Sequence, residues 1–184
     1  MDQIFDAQFG PSGPMPLREP MQHEADDFYT LSDKTSPHNA MGELIARISG
    51  AKRTAVDALP ISVQRRGQAY LVSFLNAVPE PHAEPAPEYV IQLDKQISTL
   101  NGREAWETVP LREPTFAEVC KFYDDKEVKT ERAAMLSLMA ELSGVNLFAL
   151  GKMPLSQFRE GQAYLLGFLT YFPTWTSGNA SPQM

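Results

Sequence analysis

A mainly α-helical protein is expected, with two tandem copies of a small three-to-four-helix unit and a β-hairpin before the second copy. Three observations carry this expectation. Apolar residues recur at helical spacing along most of the chain, one β-rich segment alternates before an Asn-Gly pair, and much of the sequence repeats at a fixed offset. The string GQAYL stands at 67–71 and again at 161–165, and LREP at 17–20 and 111–114, each pair 94 positions apart.

Sliding the chain by 94 lays 17–79 on 111–173 without a gap and matches 25 of 63 positions, against roughly one in seventeen by chance. Phe28-Tyr29 falls on Phe122-Tyr123, Ser49-Gly50 on Ser143-Gly144, and Phe74-Leu75 on Phe168-Leu169. Substitutions keep character as well: Ile48 faces Leu142, Leu59 faces Met153 and Val78 faces Phe172. A tandem duplication is the reading, and its period is too long for a solenoid repeat. The expected organisation is an N-terminal extension (1–16), a first helical repeat (17–79), a Pro-rich linker (80–87), a hairpin plus second repeat (88–173) and a C-terminal tail (174–184). Four prolines in 79–87 favour an extended, semi-rigid spacer.

The elements follow in order. Before the first repeat there are only sixteen residues, rich in Gly and Pro, so a hairpin there should be lost or vestigial. A first helix should follow each LREP. Pro114 suits the opening turn and Thr115 to Glu118 reads as a capping box; Met21 replaces Thr115 in the first copy, which keeps Glu24. The second helix carries Met135, Leu138, Met139 and Leu142, repeated as Met41, Leu44, Ile45 and Ile48, and stops at Gly144 or Gly50. A short helical turn is expected over 53–58 and 147–151. The last helix carries Leu165, Phe168, Leu169 and Phe172, or Leu71, Phe74, Leu75 and Val78. Between the repeats, 89–93 alternates and Asn101-Gly102 favours a two-residue type I′ hairpin turn. Tyr70, Phe74, Tyr164 and Phe168 are expected in the core, and Cys120 is expected to be packed or half-buried on its helix.

Composition excludes several function classes. The net charge of −7 is shared between the halves, so neither has the basic footprint of a nucleic-acid binder. One cysteine allows no internal disulfide and suits a reducing cytoplasm; with no apolar run near 18 residues, a membrane span is not expected. No phosphate loop, dinucleotide fingerprint, zinc-protease motif or nucleophile elbow is written in the chain. His23 beside Glu24, Asp26 and Asp27 is a poor metal site, because neighbours on a helix point apart. Residues kept in both copies are mostly Phe, Tyr, Leu, Gly and Pro, the pattern of a retained fold. Arg65/Arg159 and Gln68/Gln162 are the polar exceptions, read as surface or local hydrogen-bonding groups. No catalytic, cofactor or metal residue is therefore expected. Tyr171, Phe172 and Trp175, where the last helix ends, are candidates for an exposed partner contact, although core packing or hairpin capping fits them equally.

One resemblance adds to this reading. The series of a hairpin at Asn101-Gly102, then TVPLR at 108–112, EPT at 113–115, LSGV at 142–145, MPLS at 153–156 and a last apolar helix through 161–169 resembles the tail assembly chaperones of long-tailed bacteriophages, in particular the short family of P2- and Mu-type phages. It covers 89–172 directly and 17–79 through the repeat. The resemblance implies a non-catalytic protein of the host-cell cytoplasm that binds the long tape measure protein, keeps it soluble and helps recruit tail tube subunits. It further implies two forms made by a programmed frameshift, and absence from the finished virion. Within that frame Tyr171 and Trp175 are the expected partner contacts, and two tethered units would raise local concentration or self-associate. The alternative is a small phage-encoded helical regulator or inhibitor acting on a host protein by protein–protein contact. A helix-turn-helix at 142–145 is disfavoured because no basic helix follows.

Overall fold

The structure is a computed structural model and describes residues 3–5 and 15–170. It is mainly helical. In chain order the elements are β1 (Gln3–Phe5), β2 (Met15–Leu17), α1 (Gln22–Lys34), α2 (Pro37–Ser49), α3 (Arg53–Asp57), α4 (Ile61–Leu75), β3 (Glu88–Ser98), β4 (Ala105–Arg112), α5 (Phe116–Val128), α6 (Glu131–Ser143), α7 (Leu147–Leu150) and α8 (Leu155–Leu169). Shifted by 94, the bounds of α1, α2 and α4 coincide with those of α5, α6 and α8.

The local code that starts and stops these helices is the same in both halves. The Ser36 hydroxyl accepts the Asn39 N–H at 3.2 Å, and the Thr130 hydroxyl accepts the Ala133 N–H at 3.2 Å. Both helices stop at a glycine in the left-handed region, Gly50 and Gly144 each at φ 69. At α5 the capping box is complete: Thr115 accepts from Glu118 N–H, and Glu118 accepts from Thr115 N–H at 2.8 Å. At α1 only half is made, because Met21 has no oxygen to offer, yet Glu24 still accepts the Met21 N–H at 2.8 Å. The phenols of Tyr29 and Tyr123 fasten each first helix to the end of the last one, donating to Leu75 O at 2.6 Å and Leu169 O at 3.0 Å.

Two apolar clusters result. In the second half the inward residues of the hairpin, Ile91, Val109 and Leu111, pack with Met135 and Met139 of α6 and with Tyr164 and Leu165 of α8. The first half gathers Leu17, Leu44, Ile45, Val56 and Leu71, and it also takes in Leu155 from α8. Burying such a leucine contributes about 2 kcal/mol, so this side chain alone couples the halves appreciably.

The hairpin expected to be lost or vestigial before the first half is a short strand pair: β1 and β2 pair antiparallel, with three residues each against eleven and eight in β3 and β4. Met15 and Leu17 point inward while Pro16, which has no N–H to give a ladder, faces out as Pro110 does in β4. Other expectations are corrected. The hairpin tip does lie at Asn101-Gly102, but the turn is wider than two residues. Gly102 N–H reaches Thr99 O at 3.1 Å and Thr99 N–H reaches Glu104 O at 3.1 Å. Among the described residues only glycines have positive φ, Gly102 at 66 among them, which excludes a type I′ turn at Asn101. Asn101 serves instead through its side chain, taking the Thr99 hydroxyl at 2.8 Å and the Arg103 N–H at 3.2 Å. A large bulge interrupts the ladder between Gln92 and Ile97. Of the four aromatics expected inside, Tyr164 is fully buried, while Tyr70, Phe74 and Phe168 are half-buried.

The proline-rich segment is no free spacer. His82 N–H donates to Ala163 O at 3.1 Å, Tyr164 O–H donates to Ala86 O at 2.9 Å, and the His82 ring meets Tyr89 and Tyr164 edge-on. It is therefore strapped along α8, where Gly167 makes room for it. A Cβ at Gly167 would stand 2.5 Å from His82 O and 3.1 Å from Pro85. Gly167→Ala should force the strap off the helix: limited proteolysis within 80–87 accelerates several-fold while helical circular dichroism is kept. Unchanged cleavage would show that the strap does not depend on that contact.

Candidate partner interface

The two halves meet where the first turn of α1 abuts the loop between α7 and α8. Gln22 N–H donates to Met153 O, His23 N–H to Gly151 O and Leu155 N–H to Pro20 O, each at 2.9 Å. The free donors of a helix start are thus met by carbonyls of the other half. Around them Arg159 donates to Leu75 O at 2.6 Å, while Arg132 lies 3.9 Å over the Tyr29 ring and bonds Asp26 at 3.0 Å. His23, Glu24 and Asp26 diverge, with Glu24 taken by Arg18 at 2.7 Å and 2.8 Å. Among the described residues no group of three or more His, Cys, Asp or Glu is placed to hold a metal ion.

Electrostatics follow these contacts. Burial tends to raise Glu24, but the Arg18 fork and the Met21 N–H outweigh it and leave its pKa lowered. Burial pushes Asp26 up, against the pull of Arg132, and it lowers Arg159. At α5 the Arg112 fork holds Glu118 down to about 2.

Away from the junction, apolar side chains stand in solvent. Leu100 at the hairpin tip is 83% exposed and Phe148 on α7 is 66% exposed, and both line one groove of about 400 Å³ with Asn101, Arg103 and Asn146. Lys152 anchors that end by donating to Ser98 O at 2.7 Å. A second groove of about 590 Å³ runs between the strap, the start of α5 and the end of α8, lined by Pro85, Phe116, Val119 and Phe168. Phe116 there is 84% exposed. Cys120, expected to be packed, is exposed one turn along α5 from it.

Residues 90–170 match the family described as phage tail assembly chaperone proteins, E, or 41 or 14. Over this segment, a little under half of its length, the chain is similar to the phage tail assembly chaperones. No curated protein and no solved structure matches it. The role that the family's description names is phage tail assembly. The matched span begins inside β3 and ends just past α8, so the hairpin-tip groove lies wholly within it, while the strap lies outside. No helix among the described residues is long and apolar enough to cross a membrane.

The contacts expected at Tyr171 and Trp175 lie outside the described residues. Sequence reasoning missed Leu100, Phe116 and Phe148. A signal for two of them was present: Phe116 stands where the first half has Gln22, and Phe148 where it has Thr54, so apolar residues appear at positions that are polar in the other half. The Arg112–Glu118 pair yields a pH prediction. Glu118 is depressed when folded, so its contribution is present above the ordinary carboxylate range and lost as pH falls toward about 2. Urea titrations of Glu118→Gln should match wild type at pH 2 and fall below it by pH 6, with a shallower pH slope between.

Proposed function

We propose that this chaperone binds an apolar or amphipathic segment of the tape measure protein during tail assembly and holds it soluble, without catalysis. The observation that supports this best is the hairpin-tip groove: exposed Leu100 and Phe148 on a rigid hairpin–helix corner, inside the span the family shares. A helical client would lay its apolar face there, with Tyr171 and Trp175 as a second contact beyond α8. Tail tube subunits are a further proposed partner, the host cytoplasm the proposed place of action, and the protein leaves before the virion is finished. We also read the halves as copies of one unit, supported by the coincident helix bounds. Their roles then differ, because Arg53 and Thr54 stand where the second half has Leu147 and Phe148.

Co-expression with the tape measure protein tests the reading. Wild type should keep the client soluble, whereas Leu100→Asp with Phe148→Asp should lose about 2 kcal/mol of binding, a tenfold or greater weakening. Trp175→Ala should weaken binding separately, and added salt should loosen the complex little. A client equally insoluble with and without the wild-type protein would end the chaperone reading. A fully active Leu100→Asp/Phe148→Asp variant would move the client to another face.

A further inference from the structure

The junction between the halves is one-directional. The first half contributes the start of α1, and the second contributes the α7–α8 loop. Each half nevertheless carries both parts, so the chain ends with one of each unused: the start of α5 and the α3–α4 loop. We infer that these unused parts bind one another between chains, so that the protein self-associates head to tail by repeating its own internal junction.

Residue identities at the offset of 94 support this. In the chain, Ser156 N–H donates to Glu19, Leu155 N–H to Pro20 O, and Arg159 to Leu75 O. The corresponding groups are Ser62 toward Glu113, Ile61 toward Pro114 O, and Arg65 toward Leu169 O. Glu, Pro, Ser and Arg are kept at these positions in both halves, and Pro60 matches Pro154. In one half these residues make the junction; in the other, Ser62, Arg65 and Glu113 face solvent. This accounts for the Arg65/Arg159 identity, which fold retention alone left without a reason.

Burial and shape agree. Leu155 is 4% exposed and Gln22 is 1% exposed within the junction, while their counterparts Ile61 and Phe116 are 60% and 84% exposed. Two large apolar side chains are therefore bare at the positions a repeated junction would cover. Where the internal contact sets His23 against Gly151, with the His23 Cβ 3.6 Å from a Cβ built there, the repeated one sets Ala117 against Asp57. The small residue has changed sides, so the fit is kept. Phe116 also borders the 590 Å³ groove beside Pro114 and Phe168, which leaves room for an incoming loop. A contact of this kind is heterologous and builds a ring or a helical array according to whether the rotation closes.

Sedimentation velocity of the full chain without any client tests the inference separately from the proposed function. Wild type should grow beyond a single-chain mass as concentration rises. Phe116→Asp and Ile61→Asp should each cut association by about tenfold or more, with unchanged circular dichroism because both positions are exposed. The decisive sample is their mixture. Each variant keeps one sound end, so together they should form a discrete one-to-one pair that neither forms alone. A single-chain wild type at all concentrations, association indifferent to both substitutions, or a mixture with no such pair would each overturn the inference.

Discussion

The contact between the start of α1 and the α7–α8 loop is the constraint on which the arrangement depends. Three backbone hydrogen bonds at 2.9 Å cross it, and Leu155 is carried with the loop into the core of the first half. Backbone donors at a helix start are costly to bury unpaired, and here they are paired by carbonyls more than a hundred residues away. The two small cores are consequently held in one orientation. Each alone would be a marginal domain, since a unit of this size buries a modest share of its surface.

The same short motifs have different fates in the two halves. Arg-Glu-Pro before a helix builds the same fork at Arg18–Glu24 and at Arg112–Glu118. Yet Gln22 in the first turn of α1 is buried against the second half, whereas Phe116 at the start of α5 stands in solvent beside the strap. Local chemistry sets the cap; what lies opposite sets the burial. That difference leaves one sound docking surface of each kind exposed on an otherwise closed chain.

The long hairpin sets the second half apart from the first. Its long strands project a tip toward α7, and Lys152 and Gln157 tie β3 down by donating to Ser98 O and Gln92 O. The bulge between Gln92 and Ile97 lets one strand serve both contacts. The apolar groove lies where this tip meets α7, in the second half and within the span similar to the tail assembly chaperones.

Much of the fold was legible in the residues, because the signals involved act over a few positions. Gly50 and Gly144 stop helices since they enter the left-handed region without a Cβ, and Thr115 with Glu118 caps one. Helical spacing placed Met135, Leu138, Met139 and Leu142 on one buried face. The fixed offset located every helix pair. Other features depended on distant partners and were not legible. Prolines 79–87 read as a spacer, yet they lie on α8 because Gly167 and the Tyr164 hydroxyl receive them. Cys120 read as packed or half-buried, but it is exposed on α5. Leu100 and Phe148 become one groove only when the hairpin folds against α7. The sequence by itself determined where elements begin, end and turn, since caps and periodicity are local free energies. The tertiary structure alone decided which identical residues are covered and which are left for a partner, since burial is a property of what arrives from elsewhere in the chain.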